Sequence, residues 1–186
     1  DKMTVFYTQT SGQFGKSVYT YQSNDTFDGK VRNLGRTSND WYSVYPETTG
    51  SSPKGVSLTI PATQTQNGVN NNSHICGAND PLYGYDRGVA YGTTPNLQMH
   101  HVAATAIFNV TNTESEAINV NKLEFTTPVN IVGSFSGDLT AGTIGWNAES
   151  AQKKVTINVS NDNISHSYDD LKTHFFHILA TAYIRK

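Results

Sequence analysis

Cysteine is almost absent from this sequence, with Cys76 the single one in 186 residues. An internal disulfide is thereby excluded, and with it a disulfide-stapled mini-domain. A C-x-x-C zinc or redox motif is excluded as well. Charged residues are scarce at 15% of the chain, and they nearly balance at a formal net of -2. No basic run stands out, so nothing attracts phosphates in bulk and nucleic acid is not an expected partner. No apolar run approaches the ~20 residues that a bilayer span requires. A signal peptide is also missing. The chain opens Asp1-Lys2-Met3 and runs at once into strand-like sequence, as a processed chain does, so that absence says nothing about export.

Apolar residues are only 36% of the chain. Ser, Thr and Asn fill the gap and make up roughly a third of it. These side chains compete for backbone hydrogen bonds, which suits solvated strand faces and turns better than helices. Strand-like alternation recurs throughout. Thr4 to Tyr7 and Val18 to Tyr21 flank a turn-rich stretch, Ser11 to Gly15. Trp41 to Tyr45 ends at Pro46, and Val56-Ser57-Leu58-Thr59-Ile60 alternates cleanly before Pro61. From Pro61 to about Asn96 the pattern fades into Asn, Gln and Gly, which predicts a long loop near residues 61–96 with one short strand near Val89 to Tyr91.

The second half is clearer. Ala104, Ala106, Phe108 and Val110 share one predicted face and are expected to line the core. Ile118 and Val120 are out of phase with Leu123 and Phe125, which predicts a bulge near Asn121-Lys122. Val129 to Val132, Val155 to Val159 and Phe175 to Ile184 complete the strands, and Ser167 to Lys172 is the one stretch compatible with a helical turn. With no repeat, linker or charge block, the expectation is a single all-β domain over 1–186. Its architecture would be a two-sheet β-sandwich or small barrel of about seven to nine strands.

No constellation for catalysis emerges. His100 and His101 are adjacent, so on a strand they diverge; one is expected to pack and one to be solvated. His74 and Cys76 form an H-x-C pair, but two further zinc ligands are not identifiable. His174 and His177 would share a face only on a helix. Gly133-Ser134-Phe135-Ser136-Gly137 lacks the strand-to-helix setting of a nucleophile elbow and reads as a turn. Asp169-Asp170 and Glu114 with Glu116 sit in polar turns, where solvated acids are expected. The expected catalytic, cofactor-binding and metal residues are therefore none. Aromatics are the more informative group. Trp41, Tyr42, Tyr45, Tyr83, Tyr85 and Tyr91 cluster in the first half. Trp41 and half of the tyrosines are expected in the core, with a Tyr-rich loop from Pro81 to Tyr91 left as an adhesive surface.

Asp40-Trp41-Tyr42-Ser43-Val44-Tyr45-Pro46 resembles the D-W-Y-x-x-Y-P stretch of Bacteroidales fimbrillins. Val56 to Gln66, a strand entering I-P-x-x-Q, resembles the next family segment. Pro81-Leu82-Tyr83-Gly84 follows, and then Leu97 to Ala104, which resembles the F-x-H-x-x-A lead into a strand. Their order, over roughly Trp41 to Val159, is similar to the N-terminal domain of the fimbrillin-like, or Mfa-like, family.

The resemblance implies a transthyretin-like sandwich, export to the outer-membrane surface and assembly with other fimbrial subunits by strand exchange. It carries no catalytic residue. Family subunits usually have a second, C-terminal domain and a lipidated cysteine ahead of the first. Neither is seen here, so the chain is expected to be the N-terminal domain of a longer precursor, or an unusually short protein. Membrane attachment would run only through a lipid anchor outside this chain. The expected role is a structural or adhesive fimbrial subunit, not an enzyme. The alternative is a non-polymerising surface lipoprotein or tip adhesin that binds host protein or glycan through the Tyr-rich loop. Either one of the two terminal segments lies at a sheet edge, where an exchanged strand could pair, or both are ordinary internal strands of a closed sandwich.

Overall fold

A computed structural model of the chain describes residues 1–24, 26–68, 70–112, 115–141, 144–160, 163–164 and 172–179, with side chains through Val159. Glu114, Asp169, Asp170, residues 180–186 and all of the expected Ser167–Lys172 turn except Lys172 lie outside them.

The class is all-β, consistent with a sandwich of curled, mainly antiparallel sheets. In chain order the strands are β1 (Lys2–Thr8), β2 (Phe14–Tyr21), β3 (Phe27–Asp28), β4 (Ser38–Tyr45), β5 (Val56–Ile60), β6 (Thr63–Asn67), β7 (Leu82–Ala90) and β8 (Gln98–His101). There follow β9 (Ala103–Val110), β10 (Ile118–Asn119), β11 (Lys122–Thr126), β12 (Val132–Gly137), β13 (Trp146–Gln152), β14 (Lys154–Ser160), β15 (Asn163–Ile164) and β16 (Lys172–Leu179). Helical structure among the described residues is two single 3-10 turns, Pro53–Gly55 and Gly77–Asn79. The strands outnumber the expected seven to nine because β3, β6, β8, β13 and β15 lack the apolar alternation that marks a strand in sequence.

The chain forms two compact units. The first comprises Asp1–Leu58, Pro81–Val102 and Ser134–Glu149; the second comprises Thr59–Asp80, Ala103–Gly133 and Ser150–Lys186. Each draws on three separate stretches, so no linker divides them in sequence.

The first unit is built on a six-stranded antiparallel sheet, ordered β3-β2-β1-β4-β7-β8. Successive side chains on a strand point to opposite faces. In β1 this sends Thr4 and Phe6 to one face and Met3, Val5 and Tyr7 to the other. The registers Thr4↔Val44, Phe6↔Tyr42 and Tyr7↔Trp41 continue the same faces into β4. The first face is sealed. Phe6 and Val44 have no exposure, and Tyr42 is buried. Thr4 Oγ1 accepts from the Thr48 amide at 3.0 Å, and Thr48 Oγ1 donates to the Ser57 carbonyl at 3.2 Å. These bonds tie the sheet to the segment that carries the buried Val56 and Leu58. Arg87 Nη2 donates to the carbonyls of Leu139 and Ala141 at 3.0 and 2.9 Å. Its guanidinium lies 4.8 Å from the Tyr85 ring centroid and 5.7 Å from that of Tyr42.

The second unit contains the ladder β11-β14-β6, in which β6 runs parallel to β14. Two antiparallel pairs, β10-β15 and β9-β16, also belong to it. Val155, Ile157 and Val159 are buried as the alternation predicts, and so are Val56, Leu58 and Ile60 on β5.

Several expectations are corrected. The predicted loop over 61–96 contains two strands, β6 and β7. β6 escapes a hydrophobic reading because its buried side chains are Gln64 and Gln66. Their amides donate to the Pro61 and Gly68 carbonyls at 3.2 and 2.9 Å, which lets polar groups face inward. The Tyr-rich segment is likewise strand β7, not a loop. The predicted bulge at Asn121-Lys122 is a break between β10 and β11, which pair with different partners. Val129–Ile131 precede β12 instead of forming a strand, and Gly133–Gly137 are that strand, not a turn. Gly133 has φ +106, and a Cβ there would meet the Ser150 carbonyl oxygen. The glycine permits strand contact rather than reversal. On β9 the phase is as expected, with Ala106, Phe108 and Val110 half-buried, but Ala104 is exposed and Ala103 is buried.

Candidate functional site: an aromatic groove on the six-stranded sheet

The second face of the six-stranded sheet is only partly covered. Met3, Val5, Tyr7, Trp41 and Val89 form a buried cluster there, with Tyr19, Phe27, Val31, Leu34, Tyr45 and Leu97 packed against it. Register explains the gathering: Met3 pairs with Tyr19, Tyr7 with Trp41, and Tyr21 with Phe27. Trp41 and Tyr7 pack with ring centroids 5.6 Å apart and planes tilted by 37°, and the Tyr7 hydroxyl accepts from the Arg32 amide at 2.9 Å. That bond holds the 31–34 segment over one end of the cluster.

What remains open is a groove of about 750 Å³, and every residue lining it belongs to the first unit. Five rings surround it, from Tyr19, Tyr21, Phe27, Trp41 and Tyr45. Tyr21 stands edge-on to Phe27 at 5.6 Å, and Phe27 to Tyr45 at 6.4 Å. Aliphatic and thioether side chains fill the gaps between the rings, and Thr94 and Asp1 are the polar members of the lining.

The wall at Met99 depends on a glycine. Ser43 Oγ donates to Met99 Sδ at 3.2 Å across Gly84, where a Cβ would sit 2.7 Å from that sulfur and 2.8 Å from the Gln98 carbonyl. Burial pushes the Tyr19 hydroxyl above its ordinary pKa, assisted by Tyr7 and Asp28. Two buried polar atoms of this sheet, Trp41 Nε1 and Asn39 Oδ1, have no hydrogen-bond partner among the described residues. Trp41 is 5% exposed and lines the groove.

The residues singled out by sequence distribute otherwise. Trp41 and Tyr45 line the groove, whereas Tyr42 lies on the sealed face. Tyr83 and Tyr85 also face away from the groove and meet His100 at 5.4 and 6.1 Å. Burial, then Tyr85, raises the Tyr83 pKa. His100 and His101 are both exposed, on strand β8. Cys76 is exposed, with its Sγ donating to the Ser73 carbonyl at 3.3 Å. Glu116 is exposed, and its carbonyl accepts from Asn112 Nδ2 at 2.7 Å. His174 and His177 lie on strand β16, not on a helix. Among the described residues no three His, Cys, Asp or Glu side chains gather as metal ligands would.

The groove itself was not anticipated. Of its strands only β1, β2 and β4 have a legible pattern, while Phe27 and Met99 lie on β3 and β8, which have none, and only the register brings these residues together. The alternation Met3-Val5-Tyr7 beside Tyr19-Tyr21 was the available signal.

No family model, no curated protein and no solved structure matches this chain.

Proposed function

We propose that the chain is a non-catalytic binding domain of an exported bacterial surface protein, of the fimbrillin-like kind. It would contribute to attachment through the groove of its first unit. The observation that carries this reading is the groove: five aromatic rings left open on a sheet whose opposite face is sealed. Apolar concavities with a few polar groups are where proteins hold ligands. The four motifs around Trp41, Ile60, Pro81 and His100 support the surface assignment.

A second reading is a structural fimbrial subunit that assembles by strand exchange. The two-stranded ladder β9-β16, which includes the apolar C-terminal stretch, favours it. The N-terminal segment is a poor candidate for the exchanged strand. β1 is paired on both sides, with β2 and β4, so of the two terminal segments it is not the one at a sheet edge.

The test uses the native host bacterium. Antibody against the domain should label intact cells, and Leu97→Trp, which fills the groove, should reduce attachment at unchanged surface level. Labelling only after permeabilisation overturns the surface assignment. Unchanged attachment by the variant overturns the role of the groove, and loss of fimbriae on deleting Lys172–Leu179 would favour the second reading.

A further inference from the structure

We propose that Asp86 is the positioning residue of the groove. Its carboxylate accepts from the Asn96 amide, holds the 94–97 wall in the conformation that a ligand meets, and thereby sets how long the ligand stays. This role rests on reading the groove as a binding site.

Residues 92–97 leave the six-stranded sheet and return to it. Up to Tyr91 the chain follows β4, with Ser38 opposite Ala90 and the Tyr91 amide donating to the Thr37 carbonyl at 2.9 Å. Gly92, at φ +85, sits in a turn closed by the Thr93 amide on the Ala90 carbonyl at 3.0 Å. At Gln98 the chain is back in the ladder, opposite Tyr85. Between these points Pro95 and Leu97 are half-buried, whereas Thr94 and Asn96 are exposed. Thr94, Pro95 and Leu97 line the groove, and Leu97 also packs on the cluster around Trp41.

Among the described residues, one hydrogen bond ties 94–97 to the sheet: the Asn96 amide donates to Asp86 Oδ2 at 2.7 Å. Asp86 lies opposite Trp41 of β4 and therefore on the groove side of β7. The other cap, 31–34, is held by more. The Arg32 amide donates to the Tyr7 hydroxyl, the Arg32 carbonyl accepts from Gln9 Nε2, and the Asn33 carbonyl accepts from both the amide and the hydroxyl of Thr10. The 94–97 wall thus depends on a single carboxylate, whose bonds to N–H groups are shorter and stronger than those of a neutral acceptor. Without that acceptor the segment gains conformations, and a ligand that packs on Pro95 and Leu97 must order them again at a cost in affinity. That ordering follows first contact with the groove, so the loss falls on dissociation more than on association.

The test measures release of N-phenyl-1-naphthylamine, whose emission rises in an apolar site, from the whole chain and two variants. Asp86→Ala removes the acceptor, and Asp86→Asn keeps an amide oxygen in its place. Asp86→Ala should release the probe about fivefold faster, within the reach of one hydrogen bond to a charged group, and associate within about twofold of wild type. Asp86→Asn should stay within about twofold of wild type in both rates. Hydrogen exchange at the Asn96 amide should quicken in Asp86→Ala while the amides of Val5 and Phe6, on the central strand β1, keep their protection. A general loss of stability would expose all three.

If Asp86→Ala does not fold, exchange in the wild-type chain decides. The Asn96 amide should exchange more slowly than that of Thr94, and more slowly still with probe bound; equal exchange at the two overturns the role of Asp86. Unchanged release from Asp86→Ala, or equally fast release from Asp86→Asn, also overturns that role and leaves the groove as a binding site. No rise in probe emission with the wild-type chain overturns both.

Discussion

The two faces of the six-stranded sheet share their strands and their aromatic richness, yet one is sealed and the other is open. On the sealed face Phe6, Tyr42 and Val44 are buried beneath a layer pinned by Thr48 and Arg87. On the open face the cluster around Trp41 is capped only by the 31–34 segment and the 94–97 segment. Apolar composition does not separate the two faces. The difference lies in how much of each face its covering segments reach. The sealed face has side chains that reach main-chain carbonyls of a covering layer. The open face has comparable bonds of its own, from the Arg32 amide to Tyr7, from Asn39 Nδ2 to the Gly35 carbonyl and from the Asn96 amide to Asp86 Oδ2, but the segments they hold leave the groove uncovered.

If that contrast holds, mutations should separate by face. Phe6→Ala should cost about 3–5 kcal/mol in denaturant unfolding, because it opens a cavity where no side-chain surface was exposed. Arg87→Ala should cost about 1.5–3 kcal/mol, through two charge-assisted bonds to the Leu139 and Ala141 carbonyls and the stacking on Tyr85. Tyr21→Ala, on the open face at 42% exposure, should cost under about 0.5 kcal/mol in the same assay. A Tyr21→Ala loss as large as that of Phe6→Ala would erase the distinction.

Alkaline titration gives a smaller effect that touches both faces. Burial raises the pKa of Tyr19 on the open face and, on the sealed face, of Tyr42, where Asp40 also raises it and Arg87 opposes. A raised folded-state pKa means the neutral phenol is favoured by folding. The associated stability is therefore complete below the unfolded pKa near 10.0 and is lost as pH rises through the folded values. Unfolding free energy should be flat approaching that pH and fall above it. In Tyr19→Phe and Tyr42→Phe the fall should be shallower.

The all-β class and the cores of β5 and β14 were legible because Val56, Leu58, Ile60, Val155, Ile157 and Val159 alternate with polar residues over more than one repeat. β6 has the same alternation of burial written in Thr and Gln, and a reading based on hydropathy passes over it. The buried Gln64 and Gln66 find carbonyls only because the chain bends back at Pro61 and Gly68, which composition does not reveal. Trp41 and Tyr45 stood out as aromatics, but nothing local joins them to Met3, Tyr19 or Met99. That groove depends on the order β2-β1-β4-β7-β8, and strand order is a property of the assembled sheet. Gly84 shows the same limit. It looked like a loop glycine, and its reason is the Met99 sulfur lying across it.

The most direct test of the open face is a titration of the Trp146→Phe protein with the neutral fluorescent probe N-phenyl-1-naphthylamine, exciting Trp41. Probe emission should rise and saturate at one site per chain, with energy transfer from Trp41, and Leu97→Trp should abolish the site without lowering the melting temperature. Emission that does not rise, or that rises equally in the Leu97→Trp protein, would contradict the groove as a binding site.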